Sequence, residues 1–281
     1  MKQAWRVSSV VGAIGVAMML FAYSGLAAAQ TAAGGAAAAP EDPPAGPVPR
    51  MADGHPDLSG TWWAGREVPV ATLNVGTSRA PQGAPRQGPE RFMTLYQPWA
   101  LAKAKTLSEK DDPALRCIPP VIGPHVSFLN SGLVGQIFQT PRFVVLLAET
   151  YHSFKIVPTD GRPHRDDVAP SYRGDSVGRW EGDTLVVDTV NFNGQNWVSD
   201  HGNVSFYSDA LHVIERYDRL DAKRLKVSTI VEDPKVLTRP WIFTPETLEI
   251  APFDQIMEVP CSNVQTAALM EAAAEQNYGR D

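Results

Sequence analysis

The chain has 281 residues, 25 of them basic and 31 acidic, which gives a formal net charge of −6 at pH 7. No basic run occurs in it, so the charge pattern argues against nucleic acid as a partner. Once the two N-terminal segments described next are set aside, roughly 210 residues remain, a length that suits one all-β domain better than two domains.

The first 29 residues follow the three-part plan of a secretory signal peptide. Lys2 and Arg6 precede an apolar run over residues 7–23, and Ala27-Ala28-Ala29 supply the small residues of a cleavage site. We therefore expect export to the periplasm or beyond, with cleavage after Ala29. The alternative is an uncleaved membrane anchor, although the run is close to the minimum length for a spanning helix. Removal of Lys2 and Arg6 leaves 23 basic and 31 acidic side chains.

Residues 30–55 are mostly Ala, Gly and Pro. They carry too few large apolar side chains to offset the entropy lost on ordering, so we predict a disordered leader. The pattern then divides into a β-barrel domain over residues 56–262 and a helical tail over residues 263–281. No later segment is long and apolar enough to span a bilayer.

Short strands separated by turns dominate residues 142–260, and Gly60-Thr61-Trp62 stands where a first strand would begin. Glu181-Gly182-Asp183 between two strand patterns is a strong hairpin signal. Between residues 92 and 116 the pattern predicts a helix that ends before Pro113. The Ala-rich residues 264–276 predict a second helix. The predicted strands cover residues 57–63, 143–147, 153–156, 178–180, 184–192, 211–219, 224–231, 241–243, 247–250 and 255–259. We predict a single antiparallel barrel, a form that has no exposed sheet edges and can enclose a small molecule.

The two cysteines, Cys117 and Cys261, are expected to form one disulfide in an exported chain. That bond would close a long loop and could contribute about 4 kcal/mol of stability. Two free buried thiols are the alternative, and metal binding by two unclustered cysteines is a weaker one.

Several sequence blocks resemble those of known families. Gly60-Thr61-Trp62 matches the short G-x-W signature of lipocalins and their calycin relatives. Longer blocks resemble a large set of uncharacterised secreted bacterial proteins: DLSGTW at 57–62, CIPP at 117–120, TDGRPH at 159–164, GRWEGDTLVVDT at 178–189, DALHVIER at 209–216 and EDP at 232–234. The resemblance covers nearly all of residues 56–262. It implies a lipocalin-like barrel and export, and it carries over no catalytic residues.

Strand periodicity selects the candidate acid and base groups, because alternate side chains share a face. Asp188 shares its face with Val186, Val190 and Phe192, so an inward-pointing carboxyl there would be desolvated and its pKa raised unless it finds a donor. The alternative is an outward Asp188 paired with a neighbouring Arg or Lys. His212 is the candidate imidazole to act with Asp188. His201, in the loop between the strands that carry Asp188 and His212, is the third candidate.

Metal and nucleophile chemistry have little support in the sequence. His212 and Glu215, three residues apart on a strand, point to opposite faces and cannot share an ion. The scattered His164, His201 and His212 are the only plausible nitrogen donors, so no metal is predicted. Nucleophile elbows and nucleotide-binding motifs are also missing, and no cofactor is predicted.

The turns and loops at strand ends supply the candidate ligand-binding residues. Asp160, Arg162 and His164 form either an anion clamp with a proton carrier or a turn braced by an Asp–Arg ion pair. Trp197 is either part of a lid or tucked against the barrel. Arg216 is the candidate for steadying a developing oxyanion.

Two functions remain open at this stage. The first is an exported lipocalin-like barrel that binds a small, mostly apolar molecule in its interior. The second is a cofactor-independent hydratase, lyase, isomerase or hydrolase that uses His and Asp acid–base groups in the same cavity. A third possibility, an envelope protein acting through its outer surface, requires a large exposed apolar patch.

Overall fold

The computed structural model describes residues 45–64, 92–122, 134–149, 151, 153–198 and 204–257. These residues form one α-helix, three short 3₁₀ helices and ten β-strands. The helix α1 is Pro98–Ala104, and the 3₁₀ helices are Phe92–Leu95, Glu109–Asp111 and Pro113–Arg116. The strands are β1 Gly60–Trp63, β2 Val134–Gln139, β3 Phe143–Ala148, β4 Ser153–Pro158, β5 Asp175–Glu181, β6 Thr184–Val190, β7 His212–Arg219, β8 Arg224–Glu232, β9 Trp241–Ile242 and β10 Glu246–Ile250.

The strands form one antiparallel sheet in the order β4-β3-β2-β1-β10-β8-β7-β6-β5, with the short β9 paired to β8. The two end strands, β4 and β5, lie against each other. Gly178 of β5 makes this approach possible, since a Cβ at that position would lie 2.8 Å from Cγ1 of Val157 on β4. The sheet is therefore a nearly closed nine-stranded barrel, and the predicted fold class is confirmed.

Alternate side chains of each strand point into the barrel. On β6 the lumen-facing residues are Leu185, Val187 and Thr189, which are all fully buried. Much of the lumen is filled by one apolar cluster comprising Leu58, Trp62, Ile137, Val144, Leu146, Ala148, Val157, Leu185, Val187, Tyr217, Leu225, Val227 and Leu248. This packing is the main source of the barrel's stability.

A second apolar cluster caps one end of the barrel. This cluster contains Val213 and Val231, which are lumen-facing residues of β7 and β8. They pack with side chains from residues 92–122 and 192–211. Tyr96 fastens this cap by donating a hydrogen bond to the carbonyl of Phe206 at 3.0 Å, with the two rings stacked. One end of the lumen is therefore covered by the chain's own loops.

The helix predicted to run from near residue 92 and to end before Pro113 is wrong in extent. Pro98 occupies the first turn of α1, which ends after seven residues, and only 3₁₀ turns follow. Asp111 accepts hydrogen bonds from the backbone N–H and the hydroxyl of Ser108, a local arrangement that competes with a continued helix. None of the helices in the described ranges is long and apolar enough to cross a membrane.

Two strand predictions also need correction. The strand β2 is missing from the predicted strands, although it pairs with both β1 and β3. Residues 255–257, predicted to begin a strand, are irregular, and the N–H of Met257 donates to the Glu149 carboxylate at 2.8 Å instead of joining a ladder. The signal peptide, the predicted terminal helix and Cys261 lie outside the described residues, so export and the disulfide stay predictions.

Part of the predicted disordered leader is ordered. Arg50 pairs with Asp183 in the β5–β6 turn at 2.7 Å, and His55 stacks on Trp180 with ring centroids 4.5 Å apart. These contacts hold residues 45–55 against the barrel, so the boundary predicted at residue 56 is too late in the chain. Composition alone could not show that polar side chains would bind residues 45–55 to the barrel, because this segment has few large apolar side chains.

Candidate functional site

A buried ion pair lies inside the barrel. Nζ of Lys155 on β4 is 2.5 Å from Oε2 of Glu215 on β7, and the two side chains are 1% and 0% exposed. The hydroxyl of Tyr217 donates a hydrogen bond to the other carboxylate oxygen of Glu215 at 3.0 Å. We call Lys155, Glu215 and Tyr217 the lumen triad. Each member points inward because it shares its strand face with residues of the lumen core.

Further polar groups lie beside the lumen triad on the capped side. Arg173 donates hydrogen bonds to the Ser153 hydroxyl at 2.6 Å and to the carbonyl of Pro120 at 2.6 Å. Ser176 and Thr189, on β5 and β6, share a hydrogen bond of 2.9 Å. Small side chains therefore border the lumen between the triad and the cap, whereas large apolar side chains fill the opposite end.

Burial governs the electrostatics of the lumen triad. Removal from water lowers the pKa of Lys155, while the adjacent Glu215 opposes that shift and nearby Arg173 adds to it. Burial likewise raises the pKa of Tyr217, and the Glu215 carboxylate adds to the increase. The triad is thus an amine with a lowered pKa beside a carboxylate that accepts from a neutral phenol, a combination typical of functional sites.

Sequence reasoning missed the lumen triad, although one signal was present. The segment Ser153-Phe154-Lys155-Ile156 alternates, and its apolar members would ordinarily be assigned to the core. In the structure Phe154 and Ile156 are more than half exposed, and Lys155 points inward. That signal was the alternation of Lys155 with Phe154 and Ile156, but it does not say which face of the strand is the lumen.

A second cluster lies on the outer face of β5–β8. Nε2 of His164 is 2.9 Å from Oδ1 of Asp188, and Nε2 of His212 is 3.0 Å from Oδ2 of the same carboxylate. The other ring nitrogens face Asp175 at 3.1 Å and Glu232 at 3.2 Å. We call these five residues the outer cluster. It brings together His212 and Asp188, the pair that the sequence selected, with His164, which had been assigned to a separate turn.

Asp188 and His212 do not face the cavity in which the enzyme hypothesis placed them, and Asp188 takes the outward orientation that the sequence left open. Leu185, Val187 and Thr189 take the inward positions of β6, so Asp188 points outward and is 22% exposed. Partial burial raises the pKa of Asp188, but hydrogen bonds from His164 and His212 outweigh it, and the net shift is downward. The Asp188 carboxyl therefore has hydrogen-bonding partners. They are two histidines, whereas the sequence predicts a neighbouring Arg or Lys for an outward Asp188.

The outer cluster has limited scope for proton transfer to a substrate. Every ring nitrogen of its two histidines already lies within 3.2 Å of a carboxylate oxygen. Within the described ranges no group of three or more His, Cys, Asp or Glu side chains is arranged to hold a metal ion. The outer cluster therefore acts as a charged brace across β5 to β8.

The remaining candidates are dispersed. Arg162 pairs with Asp160 at 2.5 Å in an exposed turn. This is the turn braced by an ion pair, one of the two alternatives that the sequence left open. The hydrogen bond from Arg162 lowers the pKa of Asp160. Arg216 faces outward and pairs with Glu181 at 2.9 Å. Trp197 is buried in the cap cluster. His201 lies outside the described residues.

Acid is expected to weaken the outer cluster. The pKa values of Asp175 and Asp188 are both lowered on folding. Their contribution to stability is therefore complete above the unfolded carboxyl pKa of about 3.9 and is lost as the pH falls through the lower folded values. We expect the melting temperature of the wild type to fall more steeply below about pH 4 than that of Asp188→Asn.

Thermal unfolding followed by circular dichroism between neutral and strongly acidic pH measures this difference. Asp254→Asn is the control, since Asp254 makes no ion pair among the described residues, and it should keep the wild-type slope. Equal slopes for the wild type and Asp188→Asn would show that the outer cluster adds nothing to acid stability.

Comparison of the chain with models of protein families, with curated proteins and with solved structures gave no match. The barrel is therefore established by the strand pairing alone. Membership of a lipocalin-like family of secreted bacterial proteins stays a prediction based on the sequence blocks.

Proposed function

We propose that the protein is an exported barrel that binds a small, mostly apolar molecule in its interior, with the polar part of that molecule at the lumen triad. The observation that carries this proposal is the Lys155–Glu215 ion pair, buried within the barrel at 2.5 Å. The predicted signal peptide supports the exported part of the proposal.

Desolvation makes the Lys155–Glu215 pair costly to bury. Transferring a lysine and a glutamate out of water costs several kcal/mol per ion. The attraction between the two charges often does not fully offset this desolvation penalty. A barrel that needed only a packed interior would be at least as stable with two apolar side chains there. Charges held in such a place are candidates for ligand recognition.

The surroundings of the lumen triad support a mostly apolar ligand. The lumen walls are mainly apolar; the residues directly opposite Glu215 on the neighbouring strands are Val187 and the small polar Thr229. Charged groups are few, and the triad combines one cation, one anion and one phenol. A molecule with an apolar body and one neutral hydrogen-bonding group fits such a lining best.

A cofactor-independent acid–base enzyme is the second candidate. The lowered pKa of Lys155, caused by burial, favours it, because burial makes the ammonium a better proton donor than a lysine in water. In this version Lys155 and Glu215 replace His212 and Asp188 as the catalytic pair. Turnover that disappears in Lys155→Met while binding persists would select the enzyme over the carrier.

Titration with the neutral apolar fluorophore 1-aminoanthracene tests interior binding. The informative variant is Lys155→Met/Glu215→Met, which removes both charges together and so leaves no unpaired ion in the lumen. We expect saturable binding to the wild type and a loss of about tenfold in affinity in the double variant, the effect of removing a charged hydrogen-bonding partner.

The outer surface supplies the control. Phe154 and Ile156 are exposed side chains that could themselves bind a dye. Phe154→Ser/Ile156→Ser should therefore leave the affinity unchanged. The proposal fails if the wild type shows no saturable binding, or if the outer variant abolishes binding that the lumen variant retains.

A further inference from the structure

A groove on the outside of the barrel lies apart from both clusters. It has a volume of about 650 Å³ and runs between the outer faces of β1 and β2 and the chain that follows β10. The side chains on which the inference depends are Thr61, Gln136, Phe138, Phe253 and Asp254. We call this feature the β1–β2 groove.

The walls of the β1–β2 groove are fixed by specific contacts. The N–H of Ala251 donates to the carbonyl of Thr61 at 2.8 Å, and the Gln136 amide donates to the carbonyl of Asp254 at 2.9 Å. Phe253 packs edge-on against Trp63 with ring centroids 5.9 Å apart. These contacts fix the positions of the groove walls relative to one another.

The chemistry of the lining is one-sided. Phe138 and Phe253 are 51% and 42% exposed, and no cation from the described part of the chain lies over either ring. The Asp254 carboxylate has no ion-pair partner among those residues, and the Thr61 hydroxyl has no hydrogen-bond partner there. Lys, Arg and His are all missing from the lining. The groove therefore presents two aromatic rings and one carboxylate to solvent.

We propose that the β1–β2 groove binds an organic ammonium ion, independently of any ligand in the lumen. A cation over an aromatic face is attracted by the ring quadrupole, and quaternary ammonium groups are recognised in this way. The Asp254 carboxylate adds direct charge attraction, and the chain's net charge of −6 favours the approach of cations. The apolar arms of such an ion would contact the exposed phenyl rings.

Isothermal titration of the full-length protein with choline tests the proposal. The matched probe is 3,3-dimethyl-1-butanol, which has the shape of choline without its charge. We expect choline to bind about fivefold more tightly, the upper end of the ratio that a cation–π contact gives at an exposed site. The difference should shrink as salt is added, because exposed charges are screened.

Variants assign the binding to the groove. Asp254→Asn and Phe138→Leu should each weaken choline binding about threefold or more. Phe138→Leu is the cleaner aromatic variant, because Phe253 also contacts Trp63. Phe154→Leu is the matched control, since Phe154 is 58% exposed but lies outside the groove. Equal affinity for the two probes, no choline binding at all, or unchanged binding in Phe138→Leu would overturn the proposal.

Discussion

Replacing Lys155 by methionine is expected to destabilise the protein by about 3–5 kcal/mol. The variant removes the Lys155 ammonium that lies 2.5 Å from the Glu215 carboxylate, and water cannot replace it because the Glu215 side chain is 0% exposed. The loss measures an unpaired buried charge and not the net value of the ion pair. Urea unfolding followed by circular dichroism gives the free energy of unfolding for comparison with the wild type.

Two further variants make this result interpretable. Lys155→Met/Glu215→Met should recover most of the lost stability, because no charge is then left unpaired. Lys235→Met removes a lysine whose ion pair with Asp209, at 2.6 Å, is largely exposed, and it should cost less than about 1 kcal/mol. A Lys155→Met variant no less stable than Lys235→Met would contradict the buried placement of the ion pair.

Replacing Trp62 by alanine is expected to cost about 3–5 kcal/mol. The indole is 1% exposed in the lumen core, and its N–H donates to the carbonyl of Leu58 at 3.0 Å. The Arg219 guanidinium lies 4.6 Å from the ring centroid and would lose a cation–π contact as well. The variant thus combines a large cavity with an unsatisfied buried carbonyl.

Chemical unfolding of Trp62→Ala is best compared with that of Trp99→Ala. Trp99 is 51% exposed, so its truncation should cost less than about 1 kcal/mol. Similar losses in the two variants would show that Trp62 is not part of a packed barrel interior.

The hairpins of the barrel could be predicted from the sequence because their information is local. Glu181-Gly182-Asp183 joins β5 to β6, and Gly182 adopts a φ of +62°, which glycine tolerates without strain. The alternation that predicted β7 and β8 likewise survives in the structure as regular burial of every second residue. Turn chemistry and periodicity were sufficient in these regions.

Features that depend on distant partners could not be predicted. The strand β2 contains Gly135 opposite Trp62, and the space for the indole exists only once the two strands are paired. Similarly, the inverted alternation of β4 makes sense only when Lys155 meets Glu215, 60 residues away. Strand propensity is set by such cross-strand neighbours, which no local pattern reveals.

The candidate residues show the same division. Period-two alternation correctly placed Asp188 on one face of β6, but it could not say which face was the lumen, because Val186 is as fully buried on the outer side as Val187 is on the inner. Sequence distance also hid the relation between His164 and His212, which meet only through the Asp188 carboxylate.

Intermolecular nuclear Overhauser effects from bound 1-aminoanthracene to methyl groups test most directly whether a ligand occupies the lumen beside the lumen triad. Val187 and Val227 mark the lumen, and Val145 and Ile156 mark the outer face. The proposal predicts contacts to the methyl groups of Val187 and Val227. Contacts confined to those of Val145 and Ile156 would contradict it.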